Sequence, residues 1–138
     1  MSKRSEVVKI FESAAREAGK LINKEFGKVT ESKVQSKDLG DFVTNTDLET
    51  ENILLNILKK HFPNSSYLTE ESDPFKGNDE TIVIDPIDGT SNFIHGIPSI
   101  GIVIAKVHKE EITDGIIFNP VSDELFFATK DKGAWCNN

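Results

Sequence analysis

The order of apolar patterns along this chain predicts an α+β fold, with two helices first and a sheet after them. Three observations carry that prediction. Apolar residues recur at helical spacing over 7–22 and again over 48–58, whereas from position 81 onward they fall into short β-branched runs. Short polar stretches separate the later runs, with His108 to Glu111 at hairpin spacing. Helices that precede an antiparallel sheet pack in layers, with the helices on one face. The 138 residues are one domain's worth of chain, long enough to bury a core.

Val7, Ile10, Phe11, Ala14, Ala15, Ala18, Leu21 and Ile22 define the first amphipathic helix. Ser5 is its candidate cap and Gly27 its stop. Residues 28–40 are polar and mixed, with 33–36 a candidate short strand. Residues 41–47 then read as a short strand running into a second helix. Thr46 followed by Glu49 is a capping-box pattern at its start. Leu48, Leu54, Leu55, Ile57 and Leu58 form its apolar side. Lys59, Lys60 and His61 suit the negative end of its dipole, and Pro63 follows the end.

Residues 66–69 look like a strand, ending in Glu70 and Glu71. Residues 73–80 read as an exposed acidic loop. Thr81 to Ile84 are four β-branched residues in a row, which suits a buried strand. Asp85 and Pro86 follow, and a proline cannot donate to a sheet ladder, so the strand is expected to stop there. Residues 100–107 and 112–118 form the next two strands, with a hairpin turn over 108–111. Further strands are expected at 124–129 and from Gly133. The strands over 100–107 and 112–118 are apolar almost without interruption, so both faces of the sheet require cover.

Composition narrows the function classes. With 37% hydrophobic and 28% charged residues the chain falls in the soluble globular class. Its formal net charge of −7, from 23 acids against 16 Lys and Arg, argues against a nucleic-acid binder driven by phosphate contacts. It suits a protein that gathers carboxylates around metal ions. Cys136 is the only cysteine, so no internal disulfide forms and the cytosol is the expected compartment. No apolar run is long enough to span a membrane. His61, His95 and His108 lie apart, without the arrangement of a Ser-His-Asp site.

The chemistry concentrates in residues 85–93. Asp85 and Asp88 stand three residues apart on a sharp turn, followed by Gly89 and Thr90. Two convergent acids bind a hard divalent cation, and N–H groups at a helix start bind a phosphate. An Asp-Pro turn followed by an Asp cap accounts for the same residues structurally, and spacing alone leaves the two readings level. Asp47 has two explanations as well. It is a first-turn acid that suits a helix dipole, or an acid fixed to orient a hydroxyl or a water. Three separated strand ends thus supply Asp41 with Asp47, Glu70 with Glu71, and Asp85 with Asp88.

Together these stretches resemble the inositol monophosphatase family. The resemblance lies at Asp41-Phe-Val-Thr-Asn-Thr-Asp47, at Glu70-Glu71-Ser72, and above all at Asp85-Pro-Ile-Asp-Gly-Thr-Ser-Asn-Phe93. The last stretch fits the family's Asp-Pro-(Ile/Leu)-Asp-Gly-Thr-x-Asn-Phe pattern at every fixed position. Phe118-Asn119-Pro120, Glu124-Leu125-Phe126 and Gly133-Ala134 resemble its bacterial branch.

The resemblance implies a layered sugar-phosphatase-type fold of alternating helix and sheet layers. It also implies magnesium-dependent hydrolysis of a phosphate monoester, inositol 1-phosphate first among them, with two or three magnesium ions. Glu70 and Asp85 would bind the first ion with the carbonyl of Ile87, and Asp88 with Asp85 a second. Asp47 and Thr90 would orient the attacking water, Glu70 standing with them among the catalytic residues. Asp88 and the N–H groups of Gly89 and Thr90 would hold the substrate. Lys37, Asp41 and Glu71 are further candidates.

In the family a downstream motif of the Trp-Asp-x-Ala-Ala-Gly type supplies another metal-binding aspartate and most contacts to the ring. These 138 residues contain no such motif, and Trp135 is followed by Cys136. Residues 1–138 therefore read as the metal- and phosphate-binding part, without the substrate-recognition part. The implied partners are a small phosphorylated substrate and either a second copy of the chain or a complementing C-terminal half. A metal- or phosphate-binding remnant without turnover is the alternative.

Overall fold

The computed structural model describes residues 3–28, 36–69 and 79–138, with the backbone alone over 36–44. Helix α1 spans Glu6–Glu25. Ser5 caps it as expected, its Oγ accepting from the Val8 N–H at 3.1 Å. The chain leaves the helix at Phe26, and Gly27 takes a left-handed φ of +76°. Val8, Phe11, Ala14, Ala15, Ala18 and Ile22 are buried on one face of α1. Gly19 lies on that face too. A Cβ there would come within 3.0 Å of both the Phe118 ring and Pro120, so its absence lets the helix settle onto the sheet.

Helix α2 spans Ser36–His61, longer at its start than the sequence suggests. The expected strand over 41–47 is helical. Phe42-Val43-Thr44 is too short a β-prone run to compete with a helix that gains one hydrogen bond for each residue added. The capping box fails for the same reason, because Thr46 is interior. Its carbonyl accepts from Thr50 Oγ1 at 2.7 Å, one turn on. The expected strand over 33–36 lies outside the described residues except for Ser36, which begins α2.

Six strands follow: β1 Ser66–Thr69, β2 Glu80–Asp88, β3 Gly101–His108, β4 Glu111–Asn119, β5 Glu124–Thr129 and β6 Ala134–Cys136. They form one sheet in sequence order. β1 runs parallel to β2, and every later neighbour is antiparallel. The β3–β4 turn has Lys109 and Glu110 at φ of 49° and 70°, the geometry usually given to Asn-Gly. A five-residue helix α3, Thr90–Ile94, sits between β2 and β3.

Strand alternation sends Ile82, Ile84, Ile102, Ile104, Ile116, Phe118, Leu125 and Phe127 to one buried face. α1 packs on β3, β4 and β5 there, and α2 on β2. The opposite face has no helix over it among the described residues. Leu68, Ile117 and Phe126 stand 47%, 48% and 45% exposed, which is how an uncovered apolar face reads.

β2 does not stop at Pro86. Asp85 pairs with Val103 and Asp88 with Gly101, so β2 spends three steps where β3 spends two. The extra residue makes a bulge, and a bulge is where a strand tolerates a proline, since the ladder bond that proline cannot make is already broken.

Candidate active site

The bulge re-aims the end of β2. Asp85 is half-buried, Pro86 and Ile87 are buried, and Asp88 is exposed at the strand's last position. Gly89 follows with φ 92° and ψ 41° and caps α3. A Cβ at Gly89 would lie 2.9 Å from the Ser99 carbonyl oxygen, so both conformation and space demand glycine there. Thr90 Oγ1 donates to the Ile87 carbonyl at 3.3 Å, tying the first residue of α3 back to the bulge. The Phe93 N–H donates to Gly89 O at 2.9 Å, and the buried Phe93 ring packs 6.2 Å from that of Phe26.

The loop after α3 is pinned by two amides. Asn92 Nδ2 donates to Ser99 O and Asn119 Nδ2 to Pro98 O, each at 2.8 Å. The second bond brings the end of β4 to the site, and with it the Phe118-Asn119-Pro120 stretch. His95 is exposed, its Nδ1 2.7 Å from Ser91 O, and His61 is exposed as well. His108 lies far along β3, its Nδ1 3.7 Å from Glu80.

Asp47 is 7% exposed on α2, a helix that packs against both β2 and α3. It belongs to a buried polar stripe of Thr46, Asp47, Thr50 and Glu51, the last two with no exposed surface. Sequence reasoning missed Thr50, Glu51 and the amide of Asn92. The signal for the first two was their spacing, because Asp47, Thr50, Glu51, Leu54 and Leu58 continue one helical face.

Asp85, Ile87, Asp88, Gly89 and Thr90 lie together around the bulge, and α2, which carries Asp47, packs against the same elements. Glu70 and Glu71 lie outside the described residues, as do the side chains of Lys37 and Asp41. Asp41 and Asp47 do not share a strand end. Six residues of helix set their backbones about 9 Å apart along the axis of α2. Among the described residues, no three His, Cys, Asp or Glu side chains form a group able to hold a metal ion. Asp85 and Asp88 with the Ile87 carbonyl are a hard-oxygen donor set of the kind magnesium accepts, short of a further carboxylate.

The sequence profile of the inositol monophosphatase family matches residues 3–138. The chain belongs to the inositol monophosphatase family. The inositol-1-monophosphatase of Caulobacter vibrioides is 41% identical over 125 residues, a match covering 88% of this chain and 49% of the relative. The Nus factor SuhB of Escherichia coli is 37% identical over 126 residues, covering 90% of this chain and 47% of that protein. The crystal structure of the extragenic suppressor protein suhB from Bartonella henselae superimposes with a TM-score of 0.84 at 35% identity. That superposition covers 97% of this chain and 52% of the solved one. The chain thus spans about half the length of the relatives it matches, and shares their fold over that half. Among its described residues no helix is long and apolar enough to cross a membrane.

Proposed function

We propose that this chain carries the metal- and phosphate-binding half of a magnesium-dependent phosphomonoesterase, converting inositol 1-phosphate to inositol and phosphate. The observation that carries the reading is the bulged end of β2, where Asp85, Ile87 and Asp88 lead directly into Gly89 and Thr90. Glu70, Asp85, Asp88 and the Ile87 carbonyl would hold two or three magnesium ions. Bound magnesium supplies charge stabilisation at the attacking and leaving oxygens of a phosphoryl displacement.

The chain's own residues do the positioning. Thr90 and Asp47 orient the attacking water, and Glu70 is assigned with them to the catalytic residues. Asp47 is suited to this because burial on a long helix fixes its carboxylate. The first N–H groups of a helix have no partner within it, so those of Gly89 and Thr90 face the phosphate oxygens. Lys37, Asp41 and Glu71 are further candidates for the same site. This reading carries the cytosol as its compartment, which suits the exposed free thiol of Cys136.

A second reading is binding of metal or phosphate without turnover. Calorimetry of the 138-residue chain with magnesium, and of its Asp85→Asn variant, tests what both readings share. Binding that the variant loses supports them, and binding the variant keeps removes Asp85 from the site. Phosphate release from inositol 1-phosphate by the same chain separates the two. Slow magnesium-dependent release, below roughly 1 per second, fits the enzyme half alone, and none fits the binding module.

A further inference from the structure

β2 and β3 stay paired as far as Asp88 and Gly101, and residues 89–100 leave the sheet between those two partners. Asn92 bridges the outgoing and returning legs of that excursion twice. Its carbonyl accepts from the Ile97 N–H at 2.8 Å, and its Nδ2 donates to the Ser99 carbonyl at 2.8 Å. Asn119 takes the neighbouring carbonyl, its Nδ2 donating to Pro98 O at 2.8 Å. Two side-chain amides thus hold successive carbonyls of a loop whose residues 95–99 are all exposed.

The Ser99 carbonyl is also what confines Gly89. Its oxygen lies 2.9 Å from the place a Gly89 Cβ would take, and Asn92 Nδ2 lies 3.6 Å from the same point. Gly89 sits at φ 92° and ψ 41° between Asp88 and Thr90. Glycine reaches left- and right-handed conformations with similar ease, so its own backbone does not fix that angle. Left unconfined, Gly89 is a hinge between the last carboxylate of β2 and the first hydroxyl of α3. The Thr90 hydroxyl bond to Ile87 O spans this hinge at 3.3 Å, long for an O–H donor, and restrains it weakly. We propose that Asn92 is a positioning residue for this turn: by holding the Ser99 carbonyl against Gly89, it fixes Thr90 relative to Asp88. Its consequence for catalysis rests on the reading above, in which Thr90 orients the attacking water. A positioned group displaced by about 1 Å costs roughly 100-fold in rate, so a bond on an exposed loop reaches the reaction through the glycine.

Urea unfolding of the 138-residue chain, in a double-mutant cycle of Asn92→Leu with Gly89→Ala, tests the clamp. With Asn92 in place the new Cβ meets a held oxygen, whereas with leucine there the carbonyl is free to retreat. The rise in unfolding constant caused by Gly89→Ala is expected to be about 5-fold smaller, or less still, in the Asn92→Leu background. Asn92→Gln keeps an amide donor and is expected to retain most of the parental penalty. Asn119→Asp removes the donor to Pro98, while a side-chain oxygen still accepts from the Val121 and Ser122 N–H groups. It is expected to retain the penalty in full. Equal penalties in the parent and Asn92→Leu backgrounds overturn the proposal, as does the same relief in Asn92→Gln or Asn119→Asp.

The second readout is phosphate release from inositol 1-phosphate by the same chain in excess magnesium, at a temperature where circular dichroism shows every variant folded. Asn92→Leu is expected to lower kcat about 10-fold or more with KM little changed, and to add little once Thr90 is alanine. Parental kcat in Asn92→Leu overturns the positioning role. Coupling in urea with no release by the parent supports the clamp and removes the enzyme reading. Release by the parent with additive penalties in urea overturns the clamp and leaves that reading intact.

Discussion

The Thr90 hydroxyl donates to the Ile87 carbonyl across the turn that carries Asp88 and Gly89, at 3.3 Å. This bond places a hydroxyl and a carbonyl proposed for two different tasks in direct contact. Movement of either residue is therefore felt by the other.

Thr90→Ala should lower turnover far more than it weakens magnesium binding. The hydroxyl is assigned to orienting water, not to the metal, and losing one positioned group of that kind costs roughly 100-fold or more. The measurement is phosphate release across a magnesium titration, in the chain joined to the uncovered half of the Caulobacter relative. An unchanged maximal rate with a raised magnesium requirement would move Thr90 to the metal shell.

Gly89→Ala should destabilise the fold by about 1–3 kcal/mol, because a left-handed residue acquires a Cβ in addition to its contact with Ser99. Urea denaturation followed by circular dichroism reads this directly. A variant as stable as the parent would mean that the turn can relax around the new carbon.

Tyr67 gives a pH readout away from the site. Burial holds its phenol up at about 12, and its hydroxyl donates to the Phe62 carbonyl at 2.8 Å. A folded pKa above the unfolded value near 10 means that Tyr67 contributes stability fully below pH 10. That contribution is lost as pH rises from about 10 to about 12. The chain has one tyrosine, so ultraviolet titration near 295 nm reads Tyr67 alone. The midpoint should fall toward 10 in denaturant. Equal midpoints in folded and denatured chain would contradict the burial of this ring.

Much of the architecture was legible in the sequence because its signals are local and periodic. α1 with its Ser5 cap, the apolar face of α2 and the strands after Ile100 all follow from spacing. Two elements were not legible. The strand expected over 41–47 became helix because cooperative extension outweighs three β-prone residues. β2 passed through Pro86 because the bulge that permits it is set by pairing with β3, a contact that local sequence does not encode. At the site, the Asp85 to Phe93 stretch announced the family. The burial of Glu51 was not legible, since a glutamate on a helix ordinarily faces water.

The central claim is that Asp85 is the metal-binding carboxylate of a phosphomonoesterase site. It is tested most directly by magnesium-dependent phosphate release from inositol 1-phosphate. The chain is joined to the uncovered half of the Caulobacter relative, with and without Asp85→Asn. The expected result is release that requires magnesium and falls by roughly 1000-fold or more in the variant, since several kcal/mol of charge stabilisation depend on that carboxylate. Near-parental release by Asp85→Asn at saturating magnesium would contradict the account.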